Sequence, residues 1–337
     1  MPEPVLSVRD LRVTLRDRGH AEIPAVRGVS FDVDEGEVLA LVGESGAGKS
    51  LTGRAVLGMP PPGARVTGSV RLRGRELIGR PRADVWGRRM AFVPQDALTV
   101  LSPVHTIGDQ IAAAVRSVAK TSRKEARSRA VTALDRVGIA DAARRARAYP
   151  HEFSGGMRQR AVIAMAMVNE PEVVIADEPT TALDPAIEAQ VLDVLATARE
   201  ATGAALVLIS HDLRIVARNA DRVLVMYAGR AVESGPVEPV FRAPRAPYTA
   251  GLLASLPPAE VNPADRRLPS IDGTPPSPTD LPRGCAFAPR CPLAGQECDG
   301  HEPALTESGE SGQLAACHRS KDLPVPATEL FSRKAPA

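Results

Sequence analysis

Two groups of residues carry types and spacing that could do chemistry. Gly43-Glu44-Ser45-Gly46-Ala47-Gly48-Lys49-Ser50 reads G-x-x-x-x-G-K-S. An apolar, strand-like run, Val38-Leu39-Ala40-Leu41-Val42, comes before it, and a helix is expected over Ser50 to Leu57. Strand, glycine loop and helix are the context a phosphate-binding loop needs. The glycines let the backbone wrap around phosphate oxygens, and the helix presents its N-terminus to the anion. Lys49 then reaches the β- and γ-phosphates, and Ser50 offers its hydroxyl to Mg²⁺. The plainer reading is a glycine-rich turn. The second group is Val173-Val174-Ile175-Ala176-Asp177-Glu178, an apolar run ending in two carboxylates. Asp177 fits the Mg²⁺ shell of a phosphate-loop NTPase, and Glu178 is placed to polarise an attacking water. The alternative for this pair is an acidic cap of the next helix.

Weaker signals follow the same order along the chain. Ser154-Gly155-Gly156-Met157 opens an alanine- and methionine-rich helix expected to run to Val168. Backbone donors at such a helix start suit an anion, although the turn also serves as an ordinary N-cap. His211 ends another apolar run, Leu206-Val207-Leu208-Ile209-Ser210-His211. Four cysteines, Cys285, Cys291, Cys298 and Cys317, are spaced C-x5-C-x6-C-x18-C. That spacing matches neither paired C-x2-C zinc ribbons nor the bacterial ferredoxin run. In a reducing compartment the cluster favours a metal over disulfides. A [4Fe–4S] centre, Zn²⁺ and a metal-free thiol loop all stay open, with His301 and His318 as substitute ligands.

The 337 residues are enough for two domains, or for one large domain and an extension. A net charge of +2 provides no polyanion-binding field, and 3% aromatics argue against a base-stacking platform, so no nucleic-acid partner is expected. No apolar run approaches the roughly 20 residues needed to span a bilayer. Met1-Pro2-Glu3-Pro4 lacks the basic and apolar regions of a secretory signal, so a cytoplasmic chain is expected.

The elements that must position these residues can be read from periodicity. Val5–Val8, Leu11–Leu15, Val29–Val33 and Val70–Arg73 read as strands, with a turn at Asp17–His20. Met90–Val93 is a strand leading to Gln95. Thr106 to Ala148 is mostly helical, capped by Thr106 or Asp109, and its interleaved charges read as a solvated face. An amphipathic helix runs from Pro185 to near Glu200, and short strands flank Ala228-Gly229-Arg230. From Pro257 the chain becomes proline-rich, which is linker composition.

Taken together and in order, the Gly43–Ser50 loop, Gln95, Ser154-Gly155-Gly156, Asp177-Glu178, Ala182-Leu183-Asp184 and His211 resemble the ATP-binding cassette of ABC transporters. Gln95-Asp96, Leu101-Ser102-Pro103, Gly108-Asp109-Gln110, Pro247-Tyr248-Thr249 and Gly284-Cys285 with Pro289-Arg290-Cys291-Pro292 look like the dipeptide/oligopeptide/nickel import ATPases. The resemblance implies an α/β phosphate-loop NTPase fold: a mixed sheet core, an antiparallel β subdomain, a helical subdomain and an irregular, cysteine-containing extension. It implies a cassette over 1–240, with the helical subdomain at about 97–155, and the extension over 241–337. It also implies an ATP-hydrolysing subunit that powers peptide import, with nickel or another small solute as the alternative and a soluble ABC ATPase acting on nucleic acid or ribosomes as a more distant one.

The residue roles it implies are specific. Gly43 to Leu51 and Gln95 hold ATP; Ser50, Gln95 and Asp177 hold Mg²⁺; Glu178 and His211 are catalytic. Ser154, Gly155, Gly156 and Met157, with Asp184, serve the ATP bound to a second cassette. Met157 stands where many cassettes have glutamine. Leu15 lies near the place where many cassettes carry an adenine-stacking aromatic. The implied partners are a second, homologous ATPase, two integral membrane permease subunits docking near Gln95, and an extracytoplasmic solute-binding protein. The implied location is the cytoplasmic face of the membrane. The resemblance favours [4Fe–4S] over Zn²⁺ at Cys285, Cys291, Cys298 and Cys317.

Overall fold

The computed structural model describes residues 3–16, 21–181, 184–256, 269–309 and 312–331. The expected turn at 17–20, residues Ala182 and Leu183, and the prolines at 257, 258 and 263 lie outside the described residues. The chain starts with β1 (Leu6–Arg16) and β2 (Glu22–Val33), then β3 (Val38–Val42) and α1 (Lys49–Leu57). Next come β4 (Arg65–Leu72), β5 (Arg75–Glu76) and β6 (Met90–Val93). The helical stretch is divided into α2 (Ile107–Val118), α3 (Arg123–Arg136) and α4 (Ala142–Arg145), and α5 (Gly155–Met167) packs against it. β7 (Val173–Asp177), α6 (Pro185–Thr202), β8 (Ala205–Ile209), α7 (Leu213–Asn219), β9 (Arg222–Tyr227) and β10 (Arg230–Pro236) complete the cassette-like part. Beyond it lie α8 (Val237–Arg242), α9 (Pro247–Ala254), α10 (Glu297–Gly300) and two short strands, β11 (Thr306–Glu307) and β12 (Leu314–Ala315).

Helix starts follow from local chemistry. The Thr106 hydroxyl accepts from the Asp109 N–H at 3.2 Å, so Thr106 is the cap of α2. Ser122, Ser154 and Asp184 cap α3, α5 and α6 in the same way.

Four strands form an antiparallel sheet in the order β2-β1-β4-β5. Eight form the main sheet, in the order β11-β12-β10-β9-β3-β8-β7-β6. Strands β9, β3, β8, β7 and β6 run parallel, and β10, β12 and β11 continue the sheet antiparallel. The parallel strands are apolar at nearly every position because both faces are covered. Val174 and Ala176 face the core shared with α2, α3 and α5, while Val173 and Ile175 face the core shared with the antiparallel sheet.

Residues beyond 240 carry more order than their composition suggests. β12 pairs with β10 through Glu233–Ala315 and Ser234–Leu314. Tyr227 of β9, Tyr248 of α9 and Phe287 form a ring trio with centroids 4.6 to 5.3 Å apart. Such pairs add about 0.5–1.5 kcal/mol beyond their area burial. Glu233, fully buried on β10, accepts from the N–H groups of Arg245 at 2.7 Å and Ala246 at 3.0 Å, and from the Gln313 amide at 3.0 Å.

Burial pushes the Glu233 carboxyl up to about 7 from 4.5, against the pull of these donors. A carboxyl that binds its proton more tightly when folded favours the fold below its unfolded value, and that contribution is lost as pH rises through about 7. Relative to Glu233→Gln, the wild-type unfolding free energy should therefore fall between about pH 5 and pH 8, by up to about 3 kcal/mol. Denaturant titrations of both proteins across that range check this, and parallel pH profiles would contradict it.

Candidate active site

The C-terminal ends of β3, β6, β7 and β8 point to one edge of the main sheet, where open α/β sheets bind ligands. The Gly43–Ser50 loop leaves β3 there. At Gly43 φ is +146°, and a Cβ would lie 2.2 Å from the Met226 carbonyl oxygen, so no side chain fits. Gly48, the residue before α1, has φ +96°, and its Cβ would come within 2.9 Å of the Ala25 carbonyl oxygen. The tight turn therefore depends on glycine at both positions. Ser45 and Gly46 are exposed, Ala47 is buried, and Leu51 packs partly against the core beneath.

Lys49 is buried, with its ammonium donating to the carbonyls of Gly43 at 2.8 Å and Glu44 at 3.0 Å. Burial lowers its pKa, while the nearby carboxylates of Glu178, Asp177 and Glu44 work the other way. The Ser50 hydroxyl donates to Asp177 Oδ1 at 2.7 Å, which joins the loop to the end of β7. Asp177 is itself buried, and desolvation raises its pKa against the Ser50 hydrogen bond.

Glu178 adopts a left-handed backbone, φ +47°. That conformation costs a non-glycine residue on the order of 1 kcal/mol. Its Oε2 accepts from the Gln95 amide at 3.2 Å and the Thr181 hydroxyl at 2.9 Å, and lies 3.3 Å from His211 Nδ1. Gln95, Glu178 and His211 thus meet from three different strand ends, beside the lysine loop. Thr181 was not anticipated from the sequence, although it lies only three residues from Glu178.

The structure leaves the other expected residues outside this hydrogen-bonded group. Ser154 and Gly155 are exposed at the start of α5, with the Ser154 hydroxyl accepting from the Met157 N–H at 3.3 Å. Gly156 is buried, and a Cβ there would meet Ile187 at 2.4 Å. Asp184 is exposed and caps α6 by accepting from the Ile187 N–H at 3.1 Å.

Cys285, Cys291, Cys298 and Cys317 line one cavity of about 50 Å³ with Tyr227, Tyr248 and Phe287. Burial raises the thiol pKa of Cys285, pushes Cys291 up to about 11 and Cys317 up to about 12, so these thiols keep their protons at neutral pH. Among the described residues, no group of three or more His, Cys, Asp or Glu side chains is arranged to hold a metal ion. Also among the described residues, no helix is long and apolar enough to cross a membrane.

Comparisons with known proteins agree with this geometry. Residues 26–181 match the family model described as ABC transporter, and residues 232–298 match the oligopeptide/dipeptide transporter C-terminal region. The dimeric ABC transporter cassette MJ0796, solved after hydrolysis with ADP and phosphate, superposes with a TM-score of 0.59 at 25% identity, over 69% of this chain and 98% of that one. The cassette cbiO1 from Clostridium perfringens gives 0.60 at 26% identity, over 71% of this chain and 91% of that one. Fold and site together define an ATP-binding cassette. The oligopeptide transport ATP-binding protein OppD of Mycobacterium tuberculosis is 50% identical over 94% of this chain, and the chain spans 52%, about half, of that relative's length. A putative peptide import ATP-binding protein of Brucella melitensis is 47% identical over 90% of this chain and 94% of its own length. The dipeptide transport ATP-binding protein DppD of Bacillus subtilis is 45% identical over 92% and 93%. The chain belongs to the ATP-binding proteins of ABC transporters.

Proposed function

We propose that the chain is the ATP-hydrolysing subunit that powers import of di- or oligopeptides through a membrane ABC transporter. One observation carries the reading. The buried Lys49 loop, the Ser50–Asp177 hydrogen bond and the Gln95–Glu178–His211 group occupy one sheet edge. The relatives' names, which specify oligopeptide, dipeptide or peptide transport, support the substrate class. The domain reading is a cassette over 1–240, with a helical subdomain at about 97–155, and an extension over 241–337.

In this reading the amides of Gly43 to Leu51 and the Lys49 ammonium bind the phosphates of ATP. Lys49 gives up its two carbonyl partners for phosphate oxygens, whose negative charge opposes the lowering that burial imposes on its pKa. Mg²⁺, when bound, supplies positive charge that neutralises the phosphates. Ser50, Gln95 and Asp177 are the residues that would hold it, and the Ser50–Asp177 hydrogen bond already aligns two of them. Glu178 takes a proton from the attacking water, or orients it, while Thr181 and Gln95 fix the carboxylate. His211 reaches the γ-phosphate side. The Ser154-Gly155-Gly156-Met157 turn, exposed at Ser154 and Gly155, and the exposed Asp184 face the nucleotide of a second, homologous cassette. Two integral permease subunits, docked near Gln95 at the cytoplasmic face of the membrane, couple closure to transport, and an extracytoplasmic solute-binding protein delivers peptide. These effects are positioning and electrostatics, as in phosphoryl transfer generally.

The finer reading of the extension is a structural [4Fe–4S] centre, with Zn²⁺ as the alternative. Support comes from donor chemistry: four thiols in one apolar cavity suit a soft metal. The metal would be held by the thiolate forms of these cysteines.

Two outcomes are expected. Glu178→Gln should retain ATP binding while phosphate release falls by about 100-fold or more, the usual scale of a lost general base, and should accumulate an ATP-bound dimer on size-exclusion chromatography. Normal turnover in that variant would contradict the assignment. Protein purified without oxygen should contain about four irons and four sulfides per chain, with visible absorption that Cys→Ser changes remove. One zinc without sulfide would replace the cluster with a zinc site, and neither metal would contradict both.

A further inference from the structure

The cysteine-bearing extension touches the phosphate loop through one side chain. Arg290 immediately precedes Cys291, and its side chain is 5% exposed. Its guanidinium forks onto both carboxylate oxygens of Glu44, Nη1 to Oε2 at 2.7 Å and Nη2 to Oε1 at 3.0 Å. Nη1 also donates to the Tyr227 hydroxyl at 3.2 Å, and Nε donates to the Asp272 carbonyl at 3.0 Å. The cation lies 5.9 Å from the Tyr227 ring centroid and 6.0 Å from that of Phe287. The orientation is thus fixed by the aromatic trio that joins the extension to β9 and α9.

Glu44 is the first variable residue of the loop, and it is held at three points. Its carboxylate is in the Arg290 fork. Its N–H donates to the buried Tyr248 hydroxyl at 2.8 Å. Its carbonyl accepts from Lys49 at 3.0 Å. A carboxylate beside a phosphate-binding loop works against a polyanionic ligand unless its charge is matched. A planar guanidinium matches it with two parallel hydrogen bonds and also sets its direction, which an ammonium cannot do.

We propose that Arg290 is a positioning residue for nucleotide binding: through Glu44 it neutralises and fixes the phosphate loop, so that the extension takes part in forming the ATP site. This rests on the ATP-binding reading of the loop. It gives the extension a role in the cassette's own chemistry, 246 residues away in sequence.

The test is binding of a fluorescent ATP analogue with Mg²⁺ to the full-length chain, with steady-state hydrolysis alongside. Wild type is compared with Lys49→Ala, Arg290→Ala, Arg290→Lys, Glu44→Gln and the Arg290→Ala/Glu44→Gln double variant, each checked by thermal melting. Arg290→Ala should weaken binding by about tenfold, seen in hydrolysis as a raised KM with kcat within about twofold. Arg290→Lys should fall between it and wild type. The double variant should bind like Glu44→Gln alone, within about twofold, because the arginine acts through the carboxylate it has lost. An arginine that only holds the extension together gives no such rescue. Wild-type affinity in Arg290→Ala, or effects of Arg290→Ala and Glu44→Gln that multiply, would overturn the proposal. If Arg290→Ala fails to fold, Arg290→Lys with and without Glu44→Gln decides by the same criteria. If wild type and Lys49→Ala both fail to bind the analogue, the nucleotide reading itself falls.

Discussion

Desolvation of opposite charges at one sheet edge is the constraint on which the rest depends. Burial lowers the pKa of Lys49 and raises that of Asp177, so each is pushed toward its neutral form. Neither is left unsatisfied: Lys49 takes two carbonyls, and Asp177 takes the Ser50 hydroxyl. These are short-range, polar substitutes for stronger partners. In the proposed function a phosphate chain and a divalent cation take the place of these partners.

The fold serves that edge. Continuous apolar strands carry the chain through a sheet covered on both faces and release polar residues only at the C-terminal ends. Glycines at 43 and 48 make the return turn possible where backbone from β9 and β2 approaches closely. The antiparallel sheet and the helices α2, α3 and α5 supply the two cores that hold the strands in register. A third core, built around Tyr227, Tyr248 and Phe287, brings the extension to the same edge. It is there that Arg290 meets Glu44, and there that the four cysteines share a cavity.

Much of this was legible in the sequence, because its causes are local. The loop is readable since its tight positions at 43 and 48 need glycine and a lysine and a hydroxyl follow at the spacing phosphate binding uses. The parallel strands are readable since burial on both faces leaves an unbroken apolar run. The choice between Thr106 and Asp109 as cap was not readable, because both side chains can cap and only geometry decides. Pairings between distant segments were illegible for a different reason. The strands β11 and β12 are two residues each, too short for any period, yet they extend the main sheet. The Arg290–Glu44 fork joins residues 246 apart, and neither residue type announces the other. The cysteines promised a ligand set by composition. Their gathering around one cavity depends on packing that composition does not specify.

The central claim is that residues 43–50 form the nucleotide site and that the extension is part of its support. Hydrogen exchange on the full chain, with and without Mg²⁺ and a slowly hydrolysed ATP analogue, tests it most directly. The account predicts slowed exchange at residues 43–52 and, in the same titration, at 285–291. Saturable binding of the analogue with exchange at 43–52 unchanged would contradict it.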